Sequence, residues 1–233
     1  MQLLSFEPGK FPNYDFVRNL KNALSKDNGS VFRYHNHENT YLNMIYRQLN
    51  SRSDAPPDKK ELMNFIDEIT HEKVRNHNGP RDMIDLYQLV LRYYYSPVAK
   101  GSNSLKQILP AIIAESDFLK DKYGKPGVYG KGKTIHSLNF DDHIWIKPDF
   151  ANNPYKTLPH VFEAYDQDTL DLLVKDMEEL ADGGTAMTAY NYLQFSEIPL
   201  DQRQRISESL LRYCELDTLA MVMLVEGWKA MMK

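Results

Sequence analysis

Three groups of residues carry side chains whose types and spacing could do chemistry. Asn36-His37-Glu38 follows a short β-prone run, Ser30-Val31-Phe32-Arg33-Tyr34, and precedes a helical pattern at Leu42, Ile45 and Leu49. A carboxylate therefore stands at the end of a strand and the start of a helix, the edge at which open α/β sheets usually bind ligands. The same residues have an ordinary use, because Asn36 can cap the helix and Glu38 sits favourably in its first turn. Tyr213-Cys214-Glu215-Leu216-Asp217 lies in a C-terminal helical stretch. Residues four apart share a helical face, so the Tyr213 hydroxyl and the Asp217 carboxylate can converge on one point. That arrangement suits a metal ion with a positioned water; a partly buried tyrosine beside a solvated aspartate is the alternative. The third group is basic: Lys120, Lys122, Lys125, Lys131 and Lys133 alternate with Tyr123, Tyr129 and four glycines, and only Asp121 opposes them, which leaves +4 locally. Lys122, Lys125 and Lys131 on phosphates and Tyr129 on a base would make a surface for nucleic acid; a solvated loop is the alternative.

Other chemistries lack their residues. The seven histidines form no i, i+4 pair and no His-Glu-x-x-His, and the single Cys214 excludes an internal disulfide framework or a cysteine-based zinc site. No glycine-rich dinucleotide loop, phosphate loop or nucleophile elbow is present; Gly183-Gly184 reads as a helix end. The net charge of −4, from 28 basic and 32 acidic residues, argues against wholesale polyanion binding. Glu163–Asp182 carries eight acids and one lysine, so that stretch should face away from any phosphate backbone. No apolar run reaches the roughly 18 residues of a membrane span. The N-terminus has neither a basic nor an apolar signal region, so the expected compartment is the cytoplasm.

The spacing of apolar residues and turn signals defines the elements that must position these groups. Phe16, Val17, Leu20 and Leu24 mark a helix from about Pro12 to Ser25, ended by Asp27-Asn28-Gly29. Pro56-Pro57 lies in a linker, Leu62, Phe65, Ile66 and Ile69 mark a third helix, and residues 71–80 read as polar loop. Met83-Ile84-Asp85 reads as a short strand entering a helix through Leu86, Leu89, Val90 and Tyr93; another helix covers Ser104–Ala114. Short strands alternating with helices predict a helix-rich α/β fold. From about 116 to 160 glycines and prolines interrupt every pattern, which predicts an irregular insertion. An acidic amphipathic helix follows at Leu170–Leu180, and helices cover most of Thr185–Lys233.

Several stretches together carry a family resemblance: Phe32–Thr40, Gly79–Leu86, Tyr93–Pro97, Gly101–Lys106, Asp182–Tyr190 and Arg212–Met221. They resemble a bacterial family, the domain-of-unknown-function family numbered 2779, which looks like a ribonuclease H-like exonuclease domain of the DEDDy type. The resemblance implies a 3′–5′ exonuclease-like hydrolase in which four carboxylates bind two divalent ions, Mg²⁺ or Mn²⁺, and act on single-stranded DNA or RNA. Asn36 and Glu38 match its second motif, and Tyr213 and Asp217 match its third. Glu38 and Asp217 would hold metal, and Tyr213 would orient the attacking water. Asp85 is expected no nearer than the groups behind the ligands.

One motif is missing. The Asp-x-Glu of the family's first strand should precede Asn36 by several tens of residues and two further strands, and Phe6-Glu7, with Ser5 and Pro8-Gly9 around it, does not supply it. The chain therefore reads as a single partial ribonuclease H-like domain over 1–233 without its first strands. An upstream segment, a partner chain or self-association would be needed to complete the sheet. The chain alone is therefore expected to be inactive or nearly so, and a noncatalytic nucleic-acid-binding or protein-interaction module is the alternative.

Overall fold

The computed structural model describes residues 11–158, 190, 191 and 193–232. Over these the chain is helix-rich with a few short strands, as the α/β reading expects. The described residues divide into two compact units, one of Phe11–Tyr95 with Asn103–Leu105 and one of Ser96–Ser102 with the described residues from Lys106 onwards. The acidic helix expected at Leu170–Leu180 and the Gly183-Gly184 stop lie outside the described residues.

The first unit is built on helices α1 (Asn13–Leu24), α2 (His37–Ser51) and α3 (Lys59–Ile69). Their apolar spacing packs one core: Val17 from α1, Leu42, Ile45 and Leu49 from α2, and Leu62, Phe65, Ile66 and Ile69 from α3 are all buried. Each such side chain contributes about 1.5–3 kcal/mol by leaving water. Arg18 of α1 forks onto Asp58, just before α3, at 2.6 and 2.9 Å, which holds that carboxyl below its ordinary value. Strands β1 (Phe32–Arg33) and β4 (Ile84–Asp85) pair in parallel, with Phe32 opposite Ile84 and Arg33 opposite Asp85, and α4 (Leu86–Tyr93) follows β4 directly.

The stretch expected as loop at 71–80 is instead an antiparallel pair, β2 (His71–Glu72) with β3 (His77–Asn78). Two-residue strands are too short to show a period, and side chains of α2 hold this one. Asn39 both donates to the His71 carbonyl at 3.1 Å and accepts its N–H at 3.0 Å, and Asn43 donates to the same carbonyl. Glu72, 8% exposed, accepts from Arg47 and Arg75, and both keep its carboxyl below the ordinary value. Arg75 reaches on to Asp67 and Asn43 and lies 3.9 Å from the centre of the Tyr46 ring.

The second unit holds α5 (Leu105–Glu115) from its second residue on, α6 (Asp117–Tyr123), the parallel pair β5 (Tyr129–Gly130) and β6 (Ile135–His136), and the 32-residue α7 (Leu200–Met231), about 48 Å long. The expected irregular insertion is thus partly regular. Ser116 caps α6 by accepting from the Leu119 N–H, and Leu119 and Tyr123, one turn apart, are buried; the surrounding glycines hide this short signal. Gly130 takes a backbone φ of +148° and packs against the Asp141 carbonyl, where no side chain fits.

Along α7, Ile206, Leu210, Leu216, Ala220, Met223, Leu224 and Gly227 form a buried stripe at helical spacing. Glu215 and Glu226, about three turns apart on one face, both accept tyrosine hydroxyls: Glu215 from Tyr129 and Glu226 from Tyr123 at 2.9 Å. Nearby, the His143 ring packs tilted against Phe140 and edge-on to Trp145 and meets the Thr157 hydroxyl at 3.0 Å. Burial, with Lys147 and Arg212 adding to it, pushes its imidazole down to about 4.

Two outcomes follow from this packing. A Cβ at Gly227 would lie 2.5 Å from the Ile112 side chain and 3.0 Å from Leu119, so Gly227→Ala should lower stability by about 1–3 kcal/mol in urea denaturation. For His143 the unfolded imidazole, at its ordinary 6.5, binds a proton more readily than the folded one at about 4. Its contribution is therefore full above pH 6.5 and lost as pH falls towards 4, a loss on the order of 3 kcal/mol. Denaturation midpoints measured from pH 7 to 4 should fall less steeply in His143→Phe.

Candidate functional site

In the first unit the polar residues gather at the carboxyl ends of β1 and β4. Arg33, 5% exposed, donates to the His35 carbonyl at 2.5 Å and to Asn36 Oδ1 at 3.0 Å, and it meets Asp85 Oδ2 at 3.3 Å. Asp85 Oδ1 accepts the His35 N–H and, as the cap of α4, the Tyr87 N–H, each at 3.0 Å. His35 sits in the left-handed region at φ +69°. Its N–H rests on Asp85 and its carbonyl on Arg33, so the ion pair itself holds this uncommon backbone. The His35 ring stands edge-on to Tyr87 at 4.8 Å.

Asn36 occupies the cap position of α2 but makes no side-chain cap bond. Its amide accepts from Arg33 and donates to Thr40 Oγ1 at 3.2 Å, so the expected capping role is replaced by a brace on the turn. Glu38, in the first turn of α2, is exposed. Desolvation by its surroundings, the largest effect, and the charge of Asp85 push its carboxyl up, against its own backbone hydrogen bond, His37 and Arg33. Asp85 is a structural organiser through its three contacts; sequence reasoning left it in the background because its partners come from residues some fifty positions away.

In the second unit Tyr213 and Asp217 share a half-buried edge of the α7 stripe. Two residues that sequence reasoning did not select join them. Tyr155 donates its hydroxyl to Asp217 Oδ1 at 2.8 Å, and its ring centre is 6.4 Å from that of Tyr213. Lys106 Nζ lies 5.4 Å from the Tyr213 ring centre and 5.9 Å from that of Tyr155. Burial and Asp217 raise the Tyr213 phenol above its ordinary value, while a hydrogen bond from Lys106 and its charge act the other way. Tyr155 is set by an Asn153-Pro154 turn in which the Asn153 side chain accepts the Tyr155 N–H; that Asn-Pro signal was the cue available. Cys214, next to Tyr213 in sequence, is exposed.

The basic stretch is differently used than its sequence suggests. Lys122 donates to Glu226 at 2.7 Å, Lys125 pairs with Asp121, Lys131 with Asp141 at 2.9 Å, Lys133 with Asp142 at 3.4 Å and Lys120 with Asp117 at 3.0 Å. Four of these five acids fall outside the window counted as +4. Exposed pairs such as Lys125–Asp121 and Lys131–Asp141 are weak and exchangeable. Tyr129 is not available to stack on a base: it is 3% exposed, bonded to Glu215 and packed on Trp145.

Among the described residues no three His, Cys, Asp or Glu side chains gather as a metal-holding group. Asn36 and Glu38 belong to the first unit and Tyr213 and Asp217 to the second.

Asp85→Ala removes the carboxylate that meets Arg33 and two backbone N–H groups, leaving a buried guanidinium unpaired. It should cost about 3–5 kcal/mol in urea denaturation, more than the Asn36→Ala change in the same turn. In comparison with known proteins, residues 1–104 match the family model described as Domain of unknown function (DUF2779). The match covers Phe32–Thr40 and Gly79–Leu86 and stops short of the α7 motif. Among the described residues no helix is long and apolar enough to cross a membrane. No curated protein and no solved structure matches the chain.

Proposed function

We propose that this chain is a nucleic-acid-handling module of ribonuclease H-like, 3′–5′ exonuclease-like design whose own carboxylates do not complete the ion centre, so that alone it hydrolyses phosphodiesters little or not at all. The observation that carries the reading is the Lys106–Tyr155–Tyr213–Asp217 patch. A phosphodiester presents anionic oxygens, for which an ammonium and a phenol are suitable donors. Asp217, fixed by Tyr155, is an ordered carboxylate one helical turn from that phenol. Glu38, at the carboxyl end of a parallel strand, stands where α/β folds usually place ligand-binding groups. Mg²⁺ or Mn²⁺ would need carboxylates beyond Glu38 and Asp217.

A noncatalytic binding module is the second reading, and one observation favours it. Tyr93 and Tyr95 are 78% and 86% exposed beside the exposed Arg92, an arrangement on which unpaired bases can stack.

Labelled single-stranded DNA and RNA incubated with the chain and Mn²⁺ should be degraded little or not at all. Robust degradation abolished by Asp217→Asn overturns the inactivity. Oligonucleotide binding that is lost in Tyr93→Ala/Tyr95→Ala, and kept in Asp217→Asn, decides for the second reading.

A further inference from the structure

The buried stripe occupies one face of α7, and the face turned away from it is apolar as well. Leu216, Leu219, Ala220, Met223, Leu224 and Gly227 are buried. At about 100° per residue, Leu211, Cys214, Thr218, Val222, Val225 and Met232 gather on the opposite side. Cys214, Thr218, Val222 and Met232 are exposed there, Val222 by 45% and Met232 by 78%, and Leu211 and Val225 are partly exposed. Thr218 gives its hydroxyl proton to the Cys214 carbonyl at 3.1 Å, so it brings no unmet donor to the face. A surface helix that faces only water carries charged and polar groups on that side.

The charges of this part of α7 are engaged elsewhere. Glu215 and Asp217 accept tyrosine hydroxyls, Glu226 accepts from Tyr123 and Lys122, and Arg212 donates to the Asn139 carbonyl at 3.4 Å. Among the described residues from Leu211 to Met232, Lys229 is the only exposed charged side chain, and it stands near the C-terminal end of the face. Just before the N-terminal end, Glu208 is exposed too and accepts from Gln204 at 3.0 Å. The face thus runs for about 32 Å with an acid at one end and a base at the other.

We infer that this face is the interface of a homodimer, in which α7 packs against α7 of a second copy, antiparallel across a two-fold axis close to Thr218. A copy in that orientation sets Leu211 against Val225 and Cys214 against Val222, and it brings Lys229 of each chain beside Glu208 of the other. The antiparallel arrangement also lays opposed helix dipoles side by side. A parallel pair would instead stack Lys229 on Lys229 and Glu208 on Glu208, like charges at both ends. A phosphate backbone fits the face poorly, because Lys229 is the one base it offers.

The test is the association state of the full chain, measured by sedimentation equilibrium with thermal melting alongside. The parent should dimerise in the micromolar range. Val222→Glu, a change at a position already exposed, should raise the dissociation constant at least about tenfold; Thr218→Lys serves as a second disruptive variant if the first melts early. Lys229→Glu should weaken the dimer, and Glu208→Lys added to it should restore association. In a Cys214→Ser background, Thr218→Cys should join two chains by a disulfide under mild oxidation, far faster than Cys214 of the parent does. A parent chain that stays monomeric overturns the inference, as does a dimer indifferent to both disruptive variants. Cys214 joining two copies as fast as Thr218→Cys, or a charge exchange that restores nothing, overturns the antiparallel arrangement. A monomer whose Cys214 reacts with a maleimide only after denaturation overturns the second copy and assigns the face to another part of the same chain.

Discussion

Strands of two residues supply few ladder hydrogen bonds, so side chains must hold most of the turns that longer sheets would hold. The Arg33–Asp85 pair shows the consequence most directly. Between them the two groups bind both backbone groups of His35, the side chain of Asn36 and the cap of α4. The left-handed step at His35 redirects the chain from β1 into α2, so the place at which Glu38 is presented follows from this one buried pair. A buried pair of this kind gives shape more surely than stability, because desolvation offsets much of the attraction.

The second unit uses the same solution with a different donor. Three acids of α7 each accept a tyrosine hydroxyl from residues 117–158: Glu215 from Tyr129, Asp217 from Tyr155 and Glu226 from Tyr123. Residues 215 and 217, two apart, project to different sides of a helix, so the insertion meets α7 on more than one side. Such a segment needs little secondary structure of its own. Gly124 and Gly130 allow close backbone approach, Gly127 and Gly132 take left-handed turns, and its lysines find acids close by.

Much of the first unit was legible in the sequence. The apolar spacing placed α1 within a residue of its observed ends and marked the buried positions of α2 and α3, and Ser30–Tyr34 and Met83–Asp85 contained the two strands that pair. The β2–β3 pair was not legible, because the side chains that order it come from Asn39 and Asn43, some thirty residues away. Of the candidate site, the Tyr213–Asp217 pairing followed from helical geometry, whereas Tyr155 lay in a stretch without periodicity. The charge of the 120–133 stretch misled because a window counts only its own residues, and the neutralising acids Asp117, Asp141, Asp142 and Glu226 stand outside it.

The sequence by itself determined the helix-rich α/β character, the apolar stripes, the lack of a cysteine framework and the one-turn spacing of Tyr213 and Asp217. These are local or compositional properties, set by side-chain type and by the repeat of the helix. Tertiary structure alone decided that Asp85 braces a turn, that Tyr129 is a core residue and that Lys106 and Tyr155 join the α7 pair. Each of those depends on a contact between residues 49 to 107 positions apart, and such contacts are chosen by packing and by the need to satisfy buried polar groups, which no short window of sequence contains.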